Sequence, residues 1–443
     1  MLLGIRAYDE GSMTQTTKGF SELSIAPSIL GVLDYFKLIT PTPIQEQSIP
    51  IAMERKDLIG IAQTGTGKTL AFGVPLLQFG LQGKRALVVV PTRELALQVG
   101  DTLRRFGVRV NVRTATLIGG EAMWRQLKDI EKKPQIIVGT PGRIIDHLEQ
   151  KSFSFSDFET LVLDEADRML DMGFAPQLKR ILTVFPKERH TMLFSATMPA
   201  EIVKITRAYM KLPVQIQIAP TGTTAKDVTQ EIYFVPQESK QQLLEKILYD
   251  YHGSILVFCR MKHSVKRLVT HVRSLGHTAA EIHSNRTLNQ RLDALDGFKS
   301  GRYRILIATD VASRGIDVKN IELVINFDLP MVAEDYVHRI GRTGRAGERG
   351  HAISFARPDE RRDIQTIERL IKKVLPVSKL PDLPPPRPTR TSERAYRAHT
   401  PEPVHTDRPR TGHGYAGRRS PAPRGRFSSR RSGGHSDFRR RGR

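Results

Sequence analysis

The chain has 443 residues, a hydrophobic share of 39% and a formal charge of +23, with 69 Lys and Arg against 46 Asp and Glu. That length accommodates two or three domains at roughly 100–200 residues each, and the excess of cations points to a polyanionic partner. A single cysteine, Cys259, excludes an intramolecular disulfide and a cysteine-based metal centre, and no apolar run approaches a membrane span, so a cytoplasmic location with no membrane partner is expected.

Residues 1–18 read as a flexible leader, with Met13 as an alternative start. From 19 to 219, short apolar runs alternate with helical patterns. Strands are expected at 58–62, 86–90, 114–118, 135–139, 160–164, 191–195 and 214–218. Runs that are apolar on both faces and separated by helix-length segments indicate a parallel sheet with helices on both sides.

The first strand runs into Ala-Gln-Thr-Gly-Thr-Gly-Lys-Thr at 62–69. Gly65 and Gly67 allow a tight turn that brings backbone N–H groups to a phosphate at the start of a helix. Lys68 is placed to reach the β- and γ-phosphates, and the Thr69 hydroxyl to ligate Mg²⁺. A glycine turn with a stray lysine is the bland alternative, and the first position is Ala62 where a P-loop usually has glycine.

The strand at 160–164 ends in Asp164-Glu165-Ala166-Asp167. Carboxylates at the C-terminal end of a parallel strand sit beside a phosphate loop on the same sheet edge. Asp164 can hold Mg²⁺, and Glu165 can orient and deprotonate an attacking water. Their other reading is a cap for the following helix.

Residues 220–227 are turn-rich and read as a linker. The alternation then restarts over 228–376, with strands expected at 230–235, 254–258, 278–282, 304–308, 322–327 and 351–355. Helical patterns fall at 261–275 and 287–299. A closing helix is expected over 359–374, with Ile364, Ile367, Leu370, Ile371 and Val374 on one face. Within this half lies His-Arg-Ile-Gly-Arg-Thr-Gly-Arg at 338–345, which suits a solvated basic loop, a nucleic-acid patch, or arginine fingers for a γ-phosphoryl group.

From 377 to 443 there are sixteen Arg and one Lys against five acids, with ten prolines and few aliphatic residues. Such a segment buries too little surface to offset chain entropy and is expected to be disordered. Its arginines and scattered aromatics fit loose RNA contact through phosphates and stacking, and a solubilising tail is the plainer alternative.

Taken together, these stretches resemble the DEAD-box ATP-dependent RNA helicases of superfamily 2. The resemblance rests on Phe20, PTPIQ with Gln45, AQTGTGKT, PTRELA (91–96), Gly119-Gly120, TPGR (140–143), DEAD (164–167), SAT (195–197), ATDVASRGID (308–317) and HRIGRTGR. The second half and its RDIQTIERLIKKVLP ending are most similar to bacterial RhlE-like members. The fold thereby implied is two tandem RecA-like α/β domains with a basic tail.

The resemblance also implies roles. Phe20, Leu38 and Gln45 would line the adenine pocket, with Gln45 on the base edge. Gln63, Thr64, Gly65, Thr66, Gly67, Lys68 and Thr69 would hold phosphates and Mg²⁺, and Asp317 the ribose. Arg342 and Arg345 would be the fingers. Asp167, Ser195, Thr197, His338 and Arg339 would couple hydrolysis to RNA. Thr92, Arg93, Gly119, Gly120, Thr140, Gly142 and Arg143 would grip the RNA backbone from the first domain, and Arg260, Arg291, Thr309 and Gly315 from the second. Hydroxyls, arginines and glycine N–H groups suit phosphate and 2′-OH contacts, so sequence-independent binding of duplex and single-stranded RNA is expected. The expected protein is a monomer open to weak oligomerisation, with ribosomal or degradosome-type ribonucleoproteins as candidate partners.

The departures from the pattern are Leu38 where an aromatic normally stacks on adenine, Ser284 and Leu288 for the usual glycine and glutamine, and Met261 for a common threonine. Trp124 follows the glycine pair on a helix-like stretch and reads as packing rather than base stacking. Cys259 reads as structural, and the histidines show no metal-ligand spacing. Two other classes stay open: an ATP-locked RNA clamp, and a tail-driven chaperone that anneals strands without ATP.

Overall fold

The structure is a computed structural model that describes residues 19–63, 65–218, 228–310, 321–344 and 350–385. Thr64, Gly315, Asp317, Arg345, the 1–18 leader, the 220–227 linker and the tail from 386 lie outside the described residues.

In the first half, β1 (Leu58–Ile61), β2 (Arg85–Val89), β3 (Thr114–Leu117), β4 (Ile136–Gly139), β5 (Phe158–Leu163), β6 (His190–Ser195) and β7 (Val214–Gln217) form one parallel sheet. The strand order is β3-β4-β2-β5-β6-β1-β7. The helices between them are α1 (Pro27–Tyr35), α2 (Pro43–Met53), α3 (Lys68–Leu81), α4 (Arg93–Gly107), α5 (Met123–Glu131), α6 (Pro141–Glu149), α7 (Ala166–Asp171), α8 (Ala175–Val184) and α9 (Ala200–Tyr209). Successive side chains of a strand point to opposite faces. Ala86 and Val88 of β2 therefore enter one apolar core, while Leu87 and Val89 enter the core on the other side.

The second half repeats the plan. Strands β8 (Val228–Phe234), β9 (Ile255–Phe258), β10 (Ala279–Ile282), β11 (Ile305–Ala308), β12 (Leu323–Asn326) and β13 (Gly350–Ala356) pair in parallel in the order β10-β11-β9-β12-β13-β8. Its described helices are α10 (Lys240–Asp250), α11 (Lys262–Ser274), α12 (Leu288–Lys299), α13 (Ala333–Ile340) and α14 (Arg361–Ile371). The RecA-like reading of two parallel sheets flanked by helices is correct. No helix among the described residues is long and apolar enough to cross a membrane.

Two expectations need correction. The closing helix stops at Ile371 because Lys372 turns left-handed, with φ of 53°. Val374 is consequently 80% exposed, and Leu375 takes the buried place instead. Disorder was also expected from residue 377, yet the first residues beyond it are docked. Ile232 of β8 donates its N–H to Pro376 O (2.9 Å), and Ser378 N–H donates to Ile232 O (2.8 Å). Gln242 Nε2 then donates to Pro384 O at 2.6 Å, and Leu383 packs on the adjoining core.

His190 in β6 is buried, with Nε2 against Lys56 O at 3.0 Å. Burial, aided by the Arg55 charge, lowers its pKa from the ordinary 6.5 to about 4. The neutral ring thus contributes stability that is complete above pH 6.5 and is lost as pH falls through about 4. That interval corresponds to about 3 kcal/mol. Urea titrations between these limits should show a steep fall for the parent protein, and His190→Gln should flatten it.

Candidate active site and nucleic-acid interface

All strands of the first sheet are parallel, so their carboxyl ends share one edge. The glycine loop follows β1, Ser195 ends β6, and Asp164 follows β5; these three strands are adjacent in the order β5-β6-β1. Thr92 follows β2, Gly119 and Gly120 follow β3, and Thr140 follows β4, and these strands fill the neighbouring stretch β3-β4-β2. One edge therefore carries a phosphate-type loop with acids on one side and hydroxyls, glycines and arginines on the other.

Gly65 and Gly67 adopt φ of 87° and 92°, a region that side chains rarely enter. Lys68 is buried at the start of α3, with Nζ donating to Ala62 O at 3.0 Å. Thr66 Oγ1 donates to Gln63 O at 2.8 Å, which closes the turn, and Thr69 is half-buried on the first turn of α3. Gln45 is held at both ends of its amide. Its Oε1 accepts from Thr42 N–H (3.0 Å) and its Nε2 donates to Gly67 O (3.0 Å). A Cβ at Gly67 would collide with that amide, so the glycine is required for this contact as well as for its φ. Phe20 is buried in the first-domain core, and Leu38 packs half-buried against the same core.

Asp164 is buried, and Oδ1 accepts from Glu165 N–H at 2.9 Å. Burial pushes its pKa up to about 6; Lys68 opposes the rise, and Glu165 adds to it. Glu165 sits in the left-handed region with φ of 50°, as the residue that opens α7. Its Oε2 lies 3.5 Å from Arg168 Nε and is buried without a hydrogen-bond partner among the described residues. Asp167 joins two stretches that are far apart in the chain. Its Oδ2 accepts from Thr197 N–H (2.9 Å), Thr197 Oγ1–H (2.9 Å) and Ala196 N–H (3.1 Å), and its own N–H donates to Ser195 Oγ (3.2 Å).

Arg168 was not singled out from the sequence. It lines one small cleft together with Phe258, Asp310, Asp335, His338, Arg339 and Arg342, so the acid-bearing helix of the first half meets the basic stretch of the second. Its position one helical turn after Glu165 was the available signal. Arg339 is 2% exposed and fully engaged. It forms a bidentate pair with Asp310 (2.5 and 2.7 Å) and donates to Asn326 Oδ1 (3.0 Å) and Asp328 O (2.6 Å). It therefore ties α13 to the end of β11 and the end of β12.

On the other side, Thr92 and Thr140 cap α4 and α6, and Thr92 Oγ1 accepts from Leu95 N–H at 3.2 Å. Arg93 lies against Gly119 and Gly120, and a Cβ at Gly120 would strike its guanidinium. Arg143 holds the same loop, donating to Ile118 O (3.0 Å), Glu121 O (2.8 Å) and Met123 Sδ (3.4 Å). Gly142 is exposed on the first turn of α6. In the second half, Arg260 Nη2 donates to Leu329 O at 3.3 Å and lies near Glu360, while Thr309 N–H donates to Ile282 O at 3.2 Å.

Trp124 departs from expectation, and Arg291 has a partner that the sequence did not suggest. Its Nη2 lies 2.8 Å from Glu94 of α4, across the two halves, with only 14% of its side chain exposed. Leu288, where glutamine is usual, is buried in the first-half core beside this pair. Trp124 does not pack inward: it is 55% exposed, because α5 buries Gln126 and Ile130 instead. Cys259 is buried, and burial raises its pKa.

A model of the DEAD/DEAH box helicase family matches residues 42–205, and a model of the helicase conserved C-terminal domain matches residues 239–347. The chain is 45% identical over 341 residues to the ATP-dependent rRNA helicase RRP3 of Meyerozyma guilliermondii, a match that spans 76% of this chain and 72% of that protein. It is 42% identical over 356 residues to the ATP-dependent RNA helicase DbpA of Bacillus subtilis, spanning 80% and 74% respectively. Its fold is similar to that of Saccharomyces cerevisiae Dbp5 bound to RNA and ADP BeF3, with a TM-score of 0.74, 28% identity, and coverage of 82% of this chain and 95% of that one. With the paired parallel sheets, the acid-bearing edge and these matches in agreement, the chain belongs to the DEAD-box ATP-dependent RNA helicases.

Proposed function

We propose that this helicase grips RNA by its backbone, without reading sequence, and separates short duplexes or remodels ribonucleoproteins as the two RecA-like domains close on ATP and reopen after hydrolysis. The observation that carries this reading is the shared edge of the first sheet, where the P-loop, SAT and DEAD stretches adjoin Thr92, Gly119, Gly120 and Thr140. Lys68 and the N–H groups of Gly65 through Thr69 bind the phosphates, with Gln63, Thr64 and Thr66 shaping the loop. Gln45 binds the adenine edge while remaining tied to Gly67, and Phe20 and Leu38 support that pocket. Asp317 binds the ribose.

The residues present fit a divalent cation: Asp164 is a buried carboxylate of raised pKa, and beside it Glu165 Oε2 has no hydrogen-bond partner among the described residues. Thr69 and Asp164 would hold Mg²⁺, which when bound supplies charge neutralisation on the transferred phosphoryl group. Glu165 accepts the proton of the attacking water, with Arg168 Nε 3.5 Å from its Oε2. Arg342 and Arg345 stabilise the charge that develops on the phosphoryl oxygens. Asp167 passes any shift of the DEAD turn to Ser195 and Thr197, and Arg339 and His338 do the same in the second domain.

On the RNA side, Arg93, Arg143, Arg260, Thr309 and Gly142 serve the backbone grip with Thr92, Thr140 and the glycine pair, and Gly315 is assigned the same role. Arg291 acts with Glu94 and Leu288 as a closure contact. The domains extend over 19–219 and 228–385, joined by 220–227, with the basic tail beyond as an RNA tether. The chain works as a cytoplasmic monomer of the RhlE-like branch, and ribosomal RNA-protein particles are its substrate. Support for that substrate comes from the rRNA helicase among its relatives.

The test is ATP turnover with unrelated RNA sequences, with single-stranded DNA, and with a short RNA duplex whose strand separation is followed. Stimulation by every RNA, weak stimulation by DNA, and ATP-dependent strand separation are expected. Stimulation confined to one RNA sequence, or strand separation that proceeds equally without ATP, would overturn the reading.

A further inference from the structure

We propose that Trp124 is a base-stacking platform at the border of the RNA-backbone grip. This rests on the RNA-facing reading of the first sheet edge. Trp124 occupies the first turn of α5, four residues after Gly120, so the intervening chain spans at most about 14 Å. The loop between them is fastened by Arg143 through Ile118, Glu121 and Met123, and by the packing of Arg93 on the glycine pair. The helix itself is anchored on its inner face. Gln126 Nε2 donates to Ile118 O at 2.8 Å, Gln126 Oε1 meets His147 Nε2 at 3.1 Å, and Ile130 enters the core. Trp124 is therefore rigidly mounted yet aimed outward.

Its surroundings suit a nucleotide. Arg125 Cζ lies 5.3 Å and Lys128 Nζ 5.0 Å from the indole ring centroid. An aromatic face with cations at its border offers stacking to any base and attraction to the flanking phosphates. The nearby acid Asp129 is engaged by Lys132 at 2.7 Å. A protein partner would be served by a broader apolar patch, whereas the exposed neighbours of Trp124 on α5 are charged. Stacking also accommodates every base, so the platform adds hold without adding sequence preference.

Trp124 is the only tryptophan in the chain, so fluorescence of the full-length protein excited selectively at tryptophan, and not at its ten tyrosines, reports on this site alone. Oligoadenylate and oligouridylate should quench the emission, and a base-free polyphosphate at equal charge and salt should not. Trp124→Ala should weaken the Kd for either oligonucleotide about tenfold, and Trp124→Phe should restore most of it. The thermal midpoint of Trp124→Ala should match the parent, because the ring faces solvent. Equal RNA affinity of parent and Trp124→Ala would overturn the platform and leave a protein-binding role for the patch. Equal quenching by polyphosphate would overturn it too. Failure of the parent to bind either oligonucleotide would instead count against the RNA-facing reading itself.

Discussion

Replacing Glu165 with glutamine is expected to slow ATP hydrolysis by about two to four orders of magnitude while ATP-dependent RNA binding persists. The substitution is nearly isosteric and keeps the left-handed turn that opens α7, where Glu165 has φ of 50°. It removes the one property required of a base, a carboxylate able to take a proton. Asp164 cannot substitute, because its Oδ1 is already bonded to Glu165 N–H and its carboxylate is the one assigned to the cation. Phosphate release at saturating ATP and RNA measures the first effect, and anisotropy of a labelled RNA with and without ATP measures the second. Turnover at the parent rate would remove Glu165 from this role. Loss of RNA binding would show that the residue supports the closed state rather than the chemistry.

Arg342→Ala is expected to lower RNA-stimulated hydrolysis by about 10³- to 10⁵-fold, the effect of losing an arginine finger. Arg342 is buried in the second domain and lines the cleft that Arg168 enters from the first. Nucleotide affinity of the open enzyme should change little, since the P-loop, Gln45 and the acids all belong to the other domain. Arg342→Lys separates charge from geometry. Lysine keeps the cation but not the planar fork, so it should recover only part of the rate. Equilibrium binding of a fluorescent ADP analogue beside single-turnover hydrolysis resolves the two effects. A parent-like rate for the alanine variant would assign the transition-state cation elsewhere.

Much of this architecture could be read from residue order. Thirteen short runs marked thirteen strands, because most are buried along their whole length; β7 and β8, with exposed residues, are the exceptions in burial. The glycine loop and the four-residue acid stretch were legible because their chemistry is local. Strand order was not, since a crossover helix leaves no trace of which neighbour its strand joins. The placement of β6 between β1 and β5, on which the Asp167 contacts with Ser195 and Thr197 depend, therefore emerges only in three dimensions. Long-range partners were hidden for the same reason. Arg291 and Glu94 are an interdomain pair, and Arg339 is a four-bonded tie. Trp124 misled because large aromatics usually pack, and here smaller neighbours on the inner face of α5 do that work. Helix ends depend on single residues such as Lys372, which periodicity does not register.

The short stretch from Pro376 to Pro384 has a practical meaning for anyone trimming this protein. Strand β8 is the outermost strand of the second sheet, and its free side is where Pro376 and Ser378 attach to Ile232. An open strand margin is a template for another chain, and a few residues laid alongside it act as a guard rail. A chain cut at 376 loses the guard along with the tail, so clumping of such a fragment would say nothing about the arginines. Cutting after 385 removes the cationic segment alone and keeps the margin covered.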